Sequence, residues 1–300
     1  METIGQNKLW SLDRSGKPLE RTNPKVRQTR GIVVKSYQEL ARYVAELQFW
    51  NRDFVLVFRG QPKDYLNNAG NTSLRPKLFR PAKGHTNLSF DLVKTRFEEL
   101  NALDQRLVEK ADDIFPGQEE VANRLRRQRI LRWSILQHYE VCPTPLLDVS
   151  HSLRVAASFA TDGADDEAFL FVLGIPNLTG AITASIEAGL QIVRLASVCP
   201  SRAERPHIQE GYVLGEYPEI GSPEQKKHYG TYETDFGRRL IAKFRFIPTP
   251  FWKKSLEFQP LPHHLLYPPK DQFLEIMLNL SSGLKLPKGL SQTSTKLRLR

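Results

Sequence analysis

An arginine, a glycine and a glutamine follow directly on an apolar run, and their types suggest anion binding. The run FVLVF (54–58) is too apolar for an exposed strand, so it predicts a central strand covered on both faces. Arg59, Gly60 and Gln61 would then lie at the rim of the sheet, where ligands are commonly received. A guanidinium binds phosphate or carboxylate in two-point contact, and a glycine leaves room for a ligand beside the backbone. The alternative is a rim arginine paired with an acid.

A second group of polar residues brackets another short apolar segment. Gln137, His138 and Tyr139 precede this segment, and Asp148 and Ser150 follow it. An imidazole can transfer a proton near neutral pH, and a carboxylate can orient a hydroxyl group. The structural alternatives are an interior histidine with satisfied nitrogens, and an aspartate and a serine that close a turn or cap the next helix. The residue types alone leave both interpretations open.

The chain is basic, with 43 Lys and Arg against 33 Asp and Glu and a formal net charge of +10. Arginines are concentrated in a predicted helix over 119–139, and residues 284–300 carry lysines and arginines but no acid. This distribution favours contact with nucleic acid or another polyanion through the helix and the tail. The alternative is a solvated helix face and a tail that only improves solubility.

Apolar periodicity divides the rest of the chain into helices and strands. It predicts helices at 36–47, 87–100, 119–139, 152–161, 232–242 and 271–280. It predicts strands at 54–58, 144–149, 168–175, 190–197, 205–215 and 243–247. Because helices and strands interleave without regular βαβ spacing, we expect an α+β fold with a mixed sheet. The expected organisation is an irregular arm (1–35), one domain (36–283) and a basic, disordered tail (284–300).

Several classes of protein are disfavoured by features that the sequence lacks. No window approaches 18 uninterrupted apolar residues, and the first 30 residues lack a secretory apolar run. Cys142 and Cys199 can form neither a disulfide framework nor a zinc site, which favours a reducing cytoplasm. His263 and His264 lack acidic or cysteine partners at ligand spacing, so no metal is expected. We therefore predict a cytoplasmic protein without a membrane segment.

The order of these segments resembles the FRG domain family. The chain has FRGQ at 58–61, SLRPKLFR at 73–80, QHY at 137–139, PTPLLD at 143–148 and AASFA at 156–160. The family typically has a block like QHYGxPTRLLDWT. In this chain Glu140 replaces the usual glycine, Pro145 replaces the arginine, and Val149-Ser150 replaces Trp-Thr. The segment RPHIQEGYVL (205–214) resembles a later family segment more weakly.

The order of motifs in that family is similar to that of ADP-ribosyltransferases. The resemblance implies an ADP-ribosyltransferase-like fold with a mostly antiparallel, split sheet flanked by helices. It implies NAD as the substrate, cleavage of the nicotinamide–ribose bond, and modification of a protein or nucleic acid acceptor. A bacterial toxin or an anti-phage effector would suit this activity. A non-catalytic module that contacts a nucleotide or nucleic acid is the alternative.

The same resemblance assigns roles to the candidate residues. The catalytic candidates are Arg59, Asp148 and Gln209. The candidates for binding the nucleotide are Arg59, Gly60, Gln61, His138, Tyr139 and Ser150, with Tyr139 stacking on the ligand. A regular strand over 206–214 would place Gln209 and Glu210 on opposite faces. We favour Gln209 as the residue beside the reacting sugar, which leaves Asp148 as the best nearby carboxylate.

Overall fold

The structure is a computed structural model that describes residues 8–229, 235–255 and 257–282. Its strands are β1 (Lys8–Leu12), β2 (Pro18–Thr22), β3 (Ile32–Val33), β4 (Val55–Gln61), β5 (Leu147–Ser150), β6 (Ala168–Ile175), β7 (Ile182–Ser185), β8 (Leu190–Arg194), β9 (Gly211–Glu216) and β10 (Leu240–Phe246). Its α-helices are α1 (Asn23–Gln28), α2 (Tyr37–Trp50), α3 (Phe90–Glu109), α4 (Ala111–Ile114), α5 (Glu119–Arg127), α6 (Arg129–His138), α7 (Leu153–Thr161), α8 (Glu204–Ile208), α9 (Pro223–Tyr229), α10 (Pro248–Lys253), α11 (His263–Leu266) and α12 (Gln272–Ser281).

Eight strands form one mixed sheet in the order β3-β10-β6-β4-β5-β9-β8-β7, and β1 and β2 form a separate hairpin. Only β3 and β10 are parallel, and the other pairs of this sheet are antiparallel. The prediction of an α+β fold with a mixed, mostly antiparallel sheet flanked by helices is therefore confirmed. Strands β4 and β5 share a single register pair, Phe58 with Ser150. The sheet thus consists of two four-stranded halves joined narrowly at its centre.

Two apolar cores stabilise the two halves. The first surrounds β4, β6 and β10 and includes the buried face of α2. The second lies among α3, α5, α6 and α12 and takes in side chains from β8 and β9. All eight residues of β6 are buried, as its continuous apolar run predicts for a strand covered on both faces.

Elements with a strong local signal lie where the sequence predicts them. Strand β6 matches the predicted strand 168–175, and α7 matches the predicted helix 152–161, with Ser152 as its N-cap. Ser36 caps α2 by accepting a hydrogen bond from the Glu39 amide. Helix α3 extends to Glu109, beyond the predicted end at residue 100. In the described part of the chain, no helix is long and apolar enough to cross a membrane.

The predicted irregular arm is wrong for residues 8–35, which hold β1, β2, α1 and β3. Leu9, Leu12 and Val26 from this region are buried in the first core, which is why the segment is ordered. The predicted tail, 284–300, lies outside the described residues. The predicted helix at 232–242 is also wrong at its end, because β10 begins at Leu240 after a short 3-10 turn.

The predicted helix 119–139 is two helices, with a break at Gln128 in an extended conformation. Arg132 makes this break possible, because its Nη1 donates hydrogen bonds of 2.8 Å to the carbonyl oxygens of Leu125 and Arg126. The same guanidinium pairs with Asp104 at 2.7 and 2.9 Å. The unpaired carbonyls at the end of α5 are therefore satisfied by a buried side chain.

The predicted strand 205–215 is wrong in its first half. Residues 204–208 form α8, Gln209 is its C-cap, and β9 begins only at Gly211. Pro206 lies in the first turn of α8, where a missing amide hydrogen is tolerated. The alternation that would set Gln209 and Glu210 on opposite faces of a strand therefore does not apply.

Candidate functional site

A cavity of about 310 Å³ opens where β4 and β5 diverge, between the two halves of the sheet. Most of the residues predicted for the site line it, including all three catalytic candidates. These residues are Arg59, Gly60, Gln61, His138, Asp148, Ser150 and Gln209. Segments that are far apart in the sequence thus converge on one cleft. The volume falls at the small end of the range for ligand pockets, roughly 300–1,000 Å³.

Arg59 lies inside β4, which continues to Gln61, so the prediction that it follows the strand is wrong. Its Nη1 donates a 2.5 Å hydrogen bond to the backbone carbonyl oxygen of Asp148. Among the described residues its Nε is buried without a hydrogen-bond partner, and it forms no ion pair. Burial and the nearby Arg80 lower the pKa of Arg59 to about 10, so the guanidinium is charged at neutral pH. The alternative interpretation, in which Arg59 is paired with an acid, is therefore wrong.

Gly60 serves a purpose different from the one predicted. A Cβ at this position would lie 1.8 Å from the carbonyl oxygen of Ala156 and 2.5 Å from the amide nitrogen of Ala160. The glycine therefore lets α7 pack directly on β4, and it does not primarily make space for a ligand. The close packing brings Ala156 and Phe159 of α7 to the wall of the cavity.

Arg80 supplies a second guanidinium to the cavity, although the sequence predicted no role for this residue. Its Nε donates a 2.8 Å hydrogen bond to the carbonyl oxygen of Arg75. Burial lowers the pKa of Arg80, and the charge of Arg80 in turn lowers the pKa of Arg59. An adjoining cavity of about 170 Å³ is lined by both arginines and by Lys77. Glu140 and Asp148 line the same adjoining cavity, so three cations and two acids share this partly buried wall.

Asp148 is held by polar contacts on both carboxylate oxygens. Gln137 Nε2 donates to Oδ2 at 2.5 Å, and His138 Nδ1 lies 3.2 Å from Oδ1. Burial raises the pKa of Asp148, but His138, Gln137 and the charge of Arg59 outweigh burial and lower it overall. The carboxylate is therefore ionised at neutral pH. The backbone carbonyl oxygen of Asp148 accepts the hydrogen bond from Arg59.

His138 ends α6 and is buried, with 7% of its surface exposed. Its Nδ1 faces Asp148, whereas its Nε2 has no hydrogen-bond partner among the described residues. Gly211 makes room for the ring, since a Cβ there would lie 3.2 Å from His138 Cε1. Gln61 presents a similar case, because its Oε1 is buried and unpartnered. Together with the Arg59 Nε, these atoms give the cavity three buried polar atoms that a ligand or water could contact.

Ser150 and Gln209 join two walls of the cavity. Ser150 Oγ donates a 2.7 Å hydrogen bond to the Gln209 carbonyl oxygen and accepts one from the Ser152 amide. Gln209 Nε2 donates to the carbonyl oxygen of Leu266 at 2.5 Å. The contacts of Ser150 are therefore those of a residue that closes a turn, as the structural alternative predicts. Gln209 reaches the cavity from the end of α8.

Tyr139 does not line the cavity, so the prediction that it stacks on a ligand is wrong. Its hydroxyl donates a 3.0 Å hydrogen bond to Asp271, and its ring packs against Phe273 in the second core. The aromatic walls come instead from Tyr65, Phe159 and Tyr267. Phe159 belongs to the AASFA segment on α7, but no ligand contact was predicted for it. Tyr65 and Tyr267 lie in loops, for whose paths the sequence contains no local signal.

Glu140 lies at the mouth of the cavity in a left-handed conformation, with φ of 53°. The amide of Val141 donates to the Leu136 carbonyl, and that of Glu140 donates to the Gln137 carbonyl, both at 3.0 Å. This pattern is a Schellman motif, which most often has glycine at this position. The glycine that is usual in the family therefore terminates the helix. Glu140, which replaces it here, adds a carboxylate to the cavity, but its side chain destabilises the left-handed conformation.

No group of three or more His, Cys, Asp or Glu residues within the described ranges has the geometry to hold a metal ion. His263 Nδ1 lies 3.0 Å from Oδ2 of Asp162, a residue that lines the cavity.

The fold and the site define an α+β protein with a cavity between two halves of a sheet, lined by two arginines and three acids. The family model of the FRG domain matches residues 55–168, so the chain carries an FRG domain, as its motifs predict. Comparison with curated proteins and comparison with solved structures each gave no match. The matched segment includes Arg59, Arg80, His138 and Asp148, and Gln209 lies beyond it.

Proposed function

We propose that the cavity binds NAD and that the protein is an ADP-ribosyltransferase-like enzyme. The observation that carries this proposal is the convergence of Arg59, Asp148 and Gln209 on one cavity with a second guanidinium, that of Arg80. Two fixed guanidiniums suit the diphosphate of a dinucleotide, because each binds phosphate oxygens in two-point contact. The cavity holds one half of the dinucleotide, and the other half extends through its open side.

The remaining walls suit the nicotinamide riboside half. Phe159 and Tyr267 pack edge to face with ring centroids 5.7 Å apart and offer an apolar surface to a planar ring. The buried Oε1 of Gln61 accepts a hydrogen bond from a ribose hydroxyl or an amide. The ring of His138, oriented by Asp148, exchanges a proton with the hydroxyl that attacks the sugar.

The reaction breaks the bond between the ribose C1 and the nicotinamide nitrogen, and nicotinamide leaves with the electron pair. Positive charge develops on the sugar, as in glycoside cleavage. Asp148 and Glu140 are the carboxylates of the cavity wall that stabilise this charge. The acceptor oxygen then bonds to C1 and loses its proton. Gln209 is neutral and supplies only a hydrogen bond.

Incubation of the purified protein with NAD tests the proposal, with nicotinamide release measured by chromatography and ADP-ribose transfer measured with labelled NAD and a cell lysate. We expect Arg59→Ala to abolish both signals, because it removes the guanidinium that binds phosphate. Arg127→Ala, a change on an exposed residue of α5, is the matched control and should retain both. NAD turnover that survives Arg59→Ala would place the chemistry elsewhere.

A second candidate is a non-catalytic nucleotide-binding module. The neutral Gln209 favours this candidate, because a glutamate at this position would supply the negative charge that catalysis needs. The side-chain amide of Gln209 also already donates to the Leu266 carbonyl oxygen. Calorimetric titration separates the two functions: the module binds NAD or ADP through Arg59 without releasing nicotinamide. The enzyme does both.

The acceptor in this proposal is a protein or a nucleic acid, and the biological setting is a bacterial toxin or anti-phage effector. Activity in the cytoplasm is part of the proposal, since Cys142 and Cys199 are both buried free thiols.

A further inference from the structure

A basic groove of about 710 Å³ runs along the outer edge of the sheet, beside β3. The β1–β2 hairpin, α1, β3 and β10 form its walls. Five of its lining residues are cations and one is an acid. The cations are Arg14, Arg21, Arg30, Lys243 and Arg245, and the acid is Asp13. We call this feature the β3 groove.

The charges of the β3 groove are only partly neutralised. Lys243 pairs with Asp64 at 2.6 Å, and Arg245 pairs with Glu167. Arg30 is exposed and lies 3.9 Å from Glu167, which Arg245 already holds. Because Lys243 and Arg245 are each paired with an acid, the base of the groove is close to neutral.

The outer cations of the groove have no such partners. Within the described ranges, the side chains of Arg14 and Arg21 form neither an ion pair nor a hydrogen bond. Asp13 does not offset them through a direct contact, because its carboxylate accepts from the Ser15 hydroxyl and from the Ser15 and Lys17 amides of its own turn. The hydrogen bond from the Ser15 hydroxyl is the main cause that lowers the pKa of Asp13. Arg14 and the half-buried Arg21 thus lack a counter-ion among the described residues, and the exposed Arg30 shares Glu167 with Arg245.

The other basic surface, on α5 and α6, is more fully neutralised by folding. Arg124 pairs with Glu120 at 3.1 Å, Arg126 with Asp112 at 2.5 Å, and Arg132 with Asp104. The arginines that make this segment basic in the sequence therefore largely contact acids of the same domain. The β3 groove is the stronger candidate for a polyanion.

The groove lies on the same face of the sheet as Arg59. Phe171 of β6 is in register with Arg59 of β4 on one side and with Lys243 of β10 on the other. Residues directly paired across strands point to the same face. Two strand spacings separate Lys243 from Arg59, about 10 Å.

We propose that the β3 groove binds the phosphate backbone of a nucleic acid. Arginine forks match phosphate oxygens in two-point contact, and a polymer with one charge on each unit meets several of them along the groove. Contacts to phosphate carry no sequence information, so we expect binding that is independent of sequence. Nucleic-acid binding there does not require the cavity to be catalytic.

Fluorescence anisotropy with labelled single-stranded DNA, single-stranded RNA and duplex DNA tests this inference on the full chain. We expect the double variant Arg14→Ala, Arg21→Ala to lose about tenfold in affinity for at least one probe. The slope of log affinity against log salt should become less negative by about two, close to one unit for each lost phosphate contact.

A matched double variant on α5, Arg124→Ala with Arg127→Ala, removes the same charge from the competing surface and should change affinity little. Thermal unfolding of both variants controls for folding. An equal loss in the two double variants, or no loss in the groove variant with every probe, overturns the proposal. Competition by polyglutamate that equals competition by unlabelled nucleic acid would also overturn it and point to an acidic protein partner.

Discussion

Arg59 differs from the paired arginines of the domain in what its guanidinium contacts. Arg27 is paired with Asp235 at 2.5 Å, and Arg132 forms a bidentate pair with Asp104. Arg59 instead donates to one backbone carbonyl oxygen and stands beside another guanidinium. A half-buried guanidinium without a direct ion pair is only partly compensated in the unliganded protein, since Asp148 and Glu140 act on it at a distance. An anionic ligand would complete that compensation, which is the physical reason for the proposed site.

Glu140 provides a prediction at the level of one residue. Because its φ is 53°, replacing it with glycine removes the strain of a side chain in the left-handed region. We expect Glu140→Gly to raise the free energy of unfolding by about 0.5–1 kcal/mol, measured by urea denaturation. Glu210→Gly, at φ of 44°, should act in the same direction.

Asp53→Gly is the control for that experiment, since Asp53 is an exposed acid in a turn without a positive φ. It should leave stability unchanged or slightly lower. If all three variants behave alike, backbone strain at Glu140 and Glu210 is not the cause.

At the level of elements, the site depends on how α7 packs against β4. The helix lies over Gly60 and crosses the strand at the place where β4 separates from β5. Its N-cap, Ser152, also donates its amide to Ser150, which ties the helix to the end of β5. The packing of α7 on β4, which also forms part of the cavity wall, therefore depends on a contact that leaves no room for a Cβ at residue 60.

Gly60→Ala should therefore destabilise the protein by about 1–3 kcal/mol, because the added Cβ cannot fit beside the Ala156 carbonyl oxygen without moving α7. The measurement is chemical denaturation, accompanied by a titration with NAD. Gly180→Ala is the matched control, since the nearest atom to its Cβ would be 3.9 Å away. Equal stability of the two variants would contradict the packing of α7 described above.

At the level of the whole molecule, buried ion pairs connect segments that are distant in sequence. Lys243 of β10, whose side chain is 1% exposed, donates to Asp64 in the loop after β4 at 2.6 Å and to Thr72 at 2.7 Å. This contact fixes the loop that carries Tyr65 to the cavity and also forms the base of the β3 groove. Both candidate binding surfaces thus share one structural support.

Asp64→Ala should cost about 3–5 kcal/mol in the free energy of unfolding, because it leaves the buried ammonium of Lys243 without a counter-ion. The double variant Asp64→Ala, Lys243→Met should recover much of that loss by removing the charge. Asp113→Ala breaks the exposed pair with Lys110 and should change stability by less than about 1 kcal/mol. Urea denaturation measures all three, and a double variant no more stable than Asp64→Ala would contradict the explanation.

The parts of the fold that the sequence predicted are those whose signal is local. The unbroken apolar run of β6 and the apolar stripe of α7 act over a few residues, so their ends agree with the structure. The errors arise where distant contacts override periodicity. Arg132 permits the break between α5 and α6, and the first core orders the segment from 8 to 35.

The candidate site divides in the same way. The sequence by itself determined that an arginine follows a buried run, that a histidine and an acid lie close to a second apolar segment, and that the order of motifs resembles the FRG domain. The tertiary structure decided that Arg59, Asp148 and Gln209 meet, that Arg80 joins them, and that Tyr139 does not. It also decided which arginines remain uncompensated, because charge pairing depends on which acids folding brings within a few ångströms.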